Sequence, residues 1–293
     1  MQPALPLNDV RRLARLIRRD VLVQTYAANS GHPGGPFSAA DYLAVLWFRH
    51  LRIDPQNPQW RERDRFVLSN GHCSALLYSL LARRGFIPFS SLVTFRATGS
   101  PLQGHPNRLK VSGVEASTGS LGQGFPVAHG MALGAKLAKL ESVRVICNLG
   151  DGELQEGIMW ETAMAAAHYR TDNLLAMVDF NNAQIDGYVS DIMEVEPLAD
   201  KFRSFRWRVI EANGHDYEAI ESAYQQAFMP DPRPTVILFR TRMMAGAPTF
   251  ENDPGWHGKP LNRDQMAVAL RELGFDSDAD ALVERYRRGD AEA

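Results

Sequence analysis

Asp151 stands between two glycines, Gly150 and Gly152, where a short apolar run ends and a helical pattern begins. Glycines at such a junction let the backbone turn sharply and let a ligand come close. A carboxylate there repels a phosphate, unless a cation sits between them. Mg²⁺ takes one or two side-chain oxygens together with substrate phosphates, and a helix start adds free N–H groups and partial positive charge. A second oxygen ligand is available at Asn181, which lies 30 residues on, after the next apolar run. That interval is about one strand–helix–strand unit, so the two side chains face each other at neighbouring strand ends. Alone, Asp151 reads as a helix cap and Asn181 as a turn residue. Together, at this spacing and with the glycines, they read as a cation–diphosphate anchor. An EF-hand loop is excluded because no glycine stands at its sixth position. A Walker A loop is excluded because Gly119–Gly124 is not followed by Lys-Ser/Thr.

Four histidines form a second set. His32, His72, His105 and His257 each adjoin Gly or Pro in breaker-rich segments. One such histidine is ordinarily a surface residue. Four of them suggest proton handling, since imidazole titrates near neutrality and relays protons to hydroxyls and phosphates. His129, His168 and His215 read as structural.

The elements that must position these residues follow from periodicity. Apolar residues Val10, Leu13, Ile17 and Val21 recur at helical spacing, which predicts a helix from Asn8 or Asp9, as cap, to residue 28. Further helices are expected over 39–49, 74–84, 125–140, 154–169 and 217–227, and two more beyond Asn262. Strands are expected over 65–69, 143–149, 173–180, 207–211 and 235–240. Residues 90–124 read mostly as loop, and a long ordered loop is usually functional. The alternation predicts an α/β fold, a doubly wound and mostly parallel sheet with helices on both faces. Ligands of such sheets bind beyond the carboxyl ends of the strands. Residues 70–72, 150–152 and 181–182 all fall at such ends and imply one pocket.

The totals bound the rest. The chain has 293 residues and 45% hydrophobic content, enough for a sizeable core. Lys+Arg of 32 against Asp+Glu of 34 gives a net charge of −2, with no basic field for nucleic acid. Arg11, Arg12, Arg15, Arg18 and Arg19 read as the solvated face of the first helix. Cys73 and Cys147 lack metal-ligand spacing and read as reduced core thiols of a cytoplasmic protein. No run of 18 apolar residues and no signal-peptide pattern occurs, so neither a membrane span nor export is expected.

The stretch "GDGELQEGIMWE…DFNNAQIDG" resembles the thiamine-diphosphate motif, a GDG followed by an asparagine about 30 residues later. The segments "ANSGHPGG", "SNGHCS", "SPLQGHP", "STGSLGQG", "EPLADKF" and "FENDPGWHGKP" extend the resemblance, in family order, to transketolases from about Arg11 to Leu273. It implies a thiamine-diphosphate-binding domain over 1–273, with 274–293 a helical tail of the same domain. It implies Mg²⁺, or Ca²⁺, on Asp151, Asn181 and the carbonyl of Ala183. Thiamine diphosphate would contact His72, Gly119, Leu121, Gly150, Gly152, Glu153, Ile185 and His257. Glu156 resembles the glutamate that links two active sites across a dimer. His32 and His257 would handle protons on substrate hydroxyls, His72 would meet the diphosphate or reacting oxygens, and His105 the donor's C1 hydroxyl. The implied reaction moves a two-carbon ketol unit from a sugar or sugar-phosphate ketose to an aldose.

The family's full-length enzymes are more than twice as long, and their second domain carries the residues that activate the cofactor and grip sugar phosphate. The chain therefore resembles the N-terminal subunit of a split transketolase, with a separate C-terminal subunit expected in an α2β2 assembly. Other readings are a non-catalytic, regulatory thiamine-diphosphate-binding paralogue and a component of a 2-oxo acid decarboxylase. Two departures stand out. "TRMMAGAPTF" has methionines where split relatives carry lysines, and implies a less anionic substrate or partner surface before His257. Asn107 and Arg108 stand where an acidic residue is more usual.

Overall fold

The central strands β2 (Val145–Gly150) and β3 (Leu174–Phe180) are mostly apolar runs, as strands covered on both faces must be. Residues 4–290 are described here from a computed structural model. Residues 1–3 of the expected 1–273 domain and 291–293 of the expected tail lie outside them. The chain opens with α1 (Leu7–Ala27) and α2 (Gly34–Val45), which runs on as a π turn over Leu46–His50. Strand β1 (Arg65–Leu68) leads to α3 (Ser74–Arg84). A long loop with a 3₁₀ segment at Phe89–Thr94 precedes α4 (Gly124–Leu137). Then come β2 (Val145–Gly150), α5 (Gly157–His168) and β3 (Leu174–Phe180). A small antiparallel hairpin, β4 (Ala183–Gln184) and β5 (Gly187–Tyr188), is followed by α6 (Val189–Ile192) and α7 (Leu198–Ser204). The chain continues through β6 (Arg208–Asn213), α8 (Tyr217–Ala227) and β7 (Thr235–Arg240) to α9 (Arg263–Glu272) and α10 (Ala279–Arg287).

The main sheet is parallel throughout, in the order β1-β2-β3-β7-β6. Alternate residues of each strand feed opposite cores. From β3, Leu175 and Met177 join the core that also holds residues of α1, α2, α3, α8, α9 and α10. Leu174, Ala176, Val178 and Phe180 join the core built with α4, α5 and α7. The sheet is thus doubly wound. Helix α10 is tied to α1 and α3 because the Tyr286 hydroxyl donates to Asp20, which also accepts from Arg83.

Several expectations are corrected. Asn8 and Asp9 lie inside α1, whose cap is Pro6 with no side-chain bond, because proline supplies the entry angle and has no N–H to satisfy. Helix α2 begins at Gly34, not Ala39: the first turn needs no internal N–H partners, so Gly34, Gly35 and Pro36 fit there. The pattern over 154–169 is two elements, a 3₁₀ turn at Gly152–Gln155 and then α5, broken at Glu156, whose backbone is extended. The hairpin and α7 carry no clear periodic signal. The solvated-arginine reading fails at Arg18 and Arg19, which are buried. Arg18 makes a two-pronged pair with Asp41 of α2, 2.7 Å on each arm. Met243 and Met244 are fully buried core residues, so they meet neither substrate nor partner.

Burial raises the cost of the Asp41 charge, yet Arg18 and then His215 beside it hold its carboxyl well below the usual range. Removing one partner of such a buried pair leaves the other uncompensated. Arg18→Ala should lower stability by about 3–5 kcal/mol, read as a fall in the midpoint of denaturant unfolding.

Candidate active site

One cavity of about 430 Å³ opens beyond the carboxyl ends of β1, β2 and β3. Gly150, Asp151, Gly152, Glu153 and Glu156 line it from the end of β2, and Asn181, Ala183 and Ile185 from the end of β3. Gly119 and Leu121 come from the loop before α4, and His32, His72, His105 and His257 from four separate segments. Every candidate drawn from the sequence therefore lies on its wall. The reason is topological: parallel strands bring their carboxyl ends, and the loops that leave them, to one edge.

Asp151 is buried, and among the described residues no basic side chain pairs with it. Its Oδ1 accepts from the Gly152 amide at 2.8 Å and its Oδ2 from the Asn182 amide at 2.6 Å. The second bond joins the ends of β2 and β3. Burial and then the charge of Asp179 push the Asp151 carboxyl up to about 8, against those amide bonds. Asn181 turns its Oδ1 to the Ala183 amide at 2.9 Å and its Nδ2 to Asp179 and Ser38, both at 3.1 Å. Glu153 lines the cavity, but its carboxylate braces the frame. It accepts from Ser69 Oγ at 2.5 Å and from the amides of Gly122 at 2.8 Å and Gly150 at 3.2 Å. Burial pushes it up to about 6 despite these bonds. Glu156 and Ile185 are exposed at the rim.

Asp179 is a site residue that the sequence reading missed. It is 2% exposed, accepts from Ser38, Asn181 and Thr241, and is pushed by burial up to about 6. The signal is there to be read: a carboxylate inside the apolar strand "LLAMVDF" must be bonded or functional. Asn70, at a strand end where the sequence implies the pocket, does line it and accepts from Asn148 Nδ2 at 3.1 Å.

The opposite wall is imidazole. Ring centroids lie 5.2 Å apart for His32 and His72, 5.8 Å for His32 and His257, and 5.0 Å for His72 and His257. His105 packs on the backbone of Gly119, where any Cβ would come within 3.2 Å of its ring. Burial, followed by His257, Arg96 and His105, pulls His32 down to about 4, and burial alone does the same to His257. His72 falls well below its usual value and His105 falls too, burial being the larger cause in each. All four rings are neutral at pH 7. The Nδ1 atoms of His32 and His257 are buried without a hydrogen-bond partner, an arrangement that is costly unless a ligand supplies one.

The segment carrying His257 is not part of the sheet. It is fastened through His215, a histidine whose setting in sequence suggests only a structural part. Its Nδ1 meets Asp41 Oδ2 at 2.8 Å, and its Nε2 accepts the Arg242 amide at 2.9 Å. The acceptor role fixes the tautomer, with the proton on Nδ1 toward Asp41. Glu251 closes the loop on itself, accepting from Arg242 Nε at 3.0 Å and the Gly246 amide at 2.8 Å.

Amide-rich strand ends, a buried carboxyl with no basic partner among the described residues and a wall of neutral imidazoles meet in one cavity. The family described as "Transketolase, thiamine diphosphate binding domain" matches residues 10–286. The chain belongs to the transketolase family. It is 40% identical over 265 residues to a 6-deoxy-6-sulfo-D-fructose transketolase subunit of Clostridium sp. (strain MSTE9), covering 90% of this chain and 96% of that one. It is 39% identical over 273 residues to an apulose-4-phosphate transketolase subunit of Actinobacillus succinogenes, covering 92% and 97%. The crystal structure of transketolase from Campylobacter jejuni superposes with a TM-score of 0.87 at 35% identity, over 98% of this chain but 46% of that one. The chain thus corresponds to the thiamine-diphosphate-binding subunit of split transketolases and spans about half of the undivided enzyme. Among the described residues no helix is long and apolar enough to cross a membrane.

Two outcomes test the site. A carboxyl whose folded pKa lies above its unfolded value stabilises the fold at low pH and loses that contribution as pH rises. For Asp151 the window runs from about 3.8 to about 8. In the metal-free chain, the stability difference between wild type and Asp151→Asn should therefore shift against wild type as pH rises through that window, and equal pH slopes would refute it. His215→Ala should speed hydrogen exchange at the Arg242 amide about tenfold or more, the loss of one buried bond. Unchanged exchange would show that the loop holds without it.

Proposed function

We propose that this chain is the cofactor-holding subunit of a two-component, cytoplasmic transketolase, moving a two-carbon ketol unit from a ketose to an aldose. Residues 1–273 form the cofactor-binding domain, with 274–293 its helical tail. The observation that carries the reading is Asp151: a buried carboxylate without a counter-charge, at a Gly-Asp-Gly strand end, facing an imidazole wall across one cavity. The donor set fits a hard cation. Asp151 and Asn181 supply side-chain oxygens and Ala183 a backbone carbonyl, a set suited to Mg²⁺ or Ca²⁺ completed by phosphate oxygens. Gly119, Leu121, Gly150, Gly152, Ile185 and His72 line the space for thiamine diphosphate. The cofactor supplies the nucleophilic carbon and the electron sink for cleaving the ketose C2–C3 bond.

The chain's own residues handle protons and position. A neutral His257 or His32 can accept a proton from a substrate hydroxyl, and the free Nδ1 atoms mark where hydrogen bonds to ligand are wanted. His105 stands where it can orient the donor's C1 hydroxyl, and Glu156 where a second copy can meet it. The partner is a C-terminal transketolase subunit in an α2β2 assembly. This is supported by the relatives of matching length, which are named as subunits, and by the coverage of less than half of the undivided enzyme. The same two relatives are named for a sulfonated and a phosphorylated sugar, which supports an anionic sugar as substrate.

The purified chain alone should show no ketol transfer, and transfer should appear when its C-terminal partner is added with Mg²⁺ and thiamine diphosphate. Robust activity of the chain alone would refute the two-component reading. In the assembled enzyme His257→Ala should reduce kcat by about 10²-fold or more, with a smaller effect on cofactor affinity.

A further inference from the structure

Asp179 lines the cavity without a part in the chemistry described so far, yet its place in the fold demands an explanation. It stands in β3, the middle strand of the sheet, in register with Gly150 of β2, and its backbone carbonyl accepts the Asp151 amide at 3.3 Å. Its side chain is buried, and its partners are hydroxyls and an amide rather than a basic group. Thr241 Oγ1 donates to Oδ1 at 2.6 Å, while Ser38 Oγ and Asn181 Nδ2 donate to Oδ2, the latter at 3.1 Å. A buried carboxylate is costly without a counter-charge. A neutral acceptor would also satisfy two hydroxyls, so the hydroxyls do not account for the charge.

Asn181 does. The two ends of a primary amide have almost the same shape, but one accepts and the other donates, and only the oxygen end binds a cation. An ionised carboxylate accepts and never donates, so Asp179 bonds the NH2 end alone. Ser38 enforces the same choice. Its hydroxyl lies closer to Asp179 than to the Gly35 carbonyl, which is 3.0 Å away, so its proton goes to the carboxylate. Ser38 Oγ is then left as an acceptor and takes Asn181 Nδ2 at 3.1 Å. With the NH2 held there, Asn181 Oδ1 turns the other way, accepts the Ala183 amide at 2.9 Å and keeps a second lone pair. Asparagine, glutamine or serine in place of Asp179 would donate as well as accept, and would tolerate either orientation. The carboxylate itself is pinned from both sides, by Thr241 just after β7 and by Ser38 on α2.

We propose that Asp179 is a positioning residue: it fixes Asn181 so that the amide oxygen, and not the NH2, is presented to the cation site. The cation rests on the reading of Asp151, Asn181 and Ala183 given above, but the orientation itself is testable on the metal-free full chain. The Asn181 side-chain NH2 signals, assigned through its backbone, should show NMR contacts to the Ser38 Hβ protons. They should exchange with solvent at least about tenfold faster in Asp179→Asn. Contacts to the Ala183 N–H instead, or fast exchange already in the wild type, overturn the proposal whether or not the variant folds.

The consequence for the cation is read by Mn²⁺ titration, followed by electron paramagnetic resonance, of the assembled enzyme with thiamine diphosphate. Residues that orient a metal ligand change affinity about 10- to 100-fold when replaced, and Asp179→Asn should weaken Mn²⁺ binding by that much. Loss of a nearby negative charge would weaken it too, so a second variant separates the two causes. Asp179→Asn combined with Asn181→Asp has the wild-type net charge and offers oxygen at both ends of residue 181, so orientation no longer matters. It should recover Mn²⁺ affinity to within about threefold of wild type. Unchanged affinity in Asp179→Asn, or a double variant as weak as that single one, overturns the positioning role. If the wild-type assembly binds no Mn²⁺ at all, the cation reading fails, while the Asn181 side-chain signals still decide whether Asp179 orients that amide.

Discussion

The charge on Asp151 is the constraint around which the site is arranged. A carboxylate buried without a cation is costly, and the protein offsets only part of that cost with two backbone amides. Two more buried carboxylates, Glu153 and Asp179, stand at the same strand ends, and burial pushes all three upward. Glu153 is satisfied by a hydroxyl and two amides, and Asp179 by two hydroxyls and an amide. Asp151 has amides alone. The frame is thus finished around Glu153 and Asp179 and left open at Asp151. That difference in bonding, rather than burial, sets Asp151 apart from the other two.

The facing wall solves the opposite problem. Three imidazole rings packed against one another cannot all be protonated in a dry cavity, and desolvation keeps them neutral. An acidic floor and a neutral, proton-accepting wall then divide the space by chemistry. Keeping the wall in place needs a support outside the sheet. The Arg18–Asp41–His215 chain provides one, reaching from α1 through α2 to the segment that carries His257. Asp41 stays ionised because Arg18 holds it so, and an ionised Asp41 fixes the His215 tautomer that accepts the Arg242 amide. A buried ion pair far from the chemistry therefore fixes the position of a residue within it.

Much of this was legible in the sequence, and for physical reasons. Short apolar runs between helical patterns predicted the five sheet strands, and the glycine-flanked Asp151 with Asn181 one βαβ unit later placed the anchor. The four loop histidines could be gathered because strand ends converge whatever the loops do. Misreadings arose where tertiary bonding overrides local pattern. Arg18 looks like surface until Asp41 is brought to it from the next helix. Met243 and Met244 look like loop residues until α2 packs on them. His215 also follows a glycine, but its role comes from bonds to residues 174 positions before and 27 after it, which no local pattern shows.

The rim of the cavity carries the remaining step. Ile185 at the rim is exposed and apolar, and so are Tyr188 of the hairpin, Ile192 at the end of α6 and Met193 just after it. Apolar groups gathered at the mouth of a polar cavity are poorly placed for a chain acting alone, since water reaches the reacting centre and the apolar surface stays wet. In a two-component enzyme both difficulties have one remedy. A partner that covers this rim buries the apolar groups and dries the imidazole wall, which strengthens every interaction of the acidic floor with its cation. Division into two chains then asks little of this one beyond holding its floor and wall in place, which the hydrogen-bonded frame around Glu153, Asp179 and His215 does.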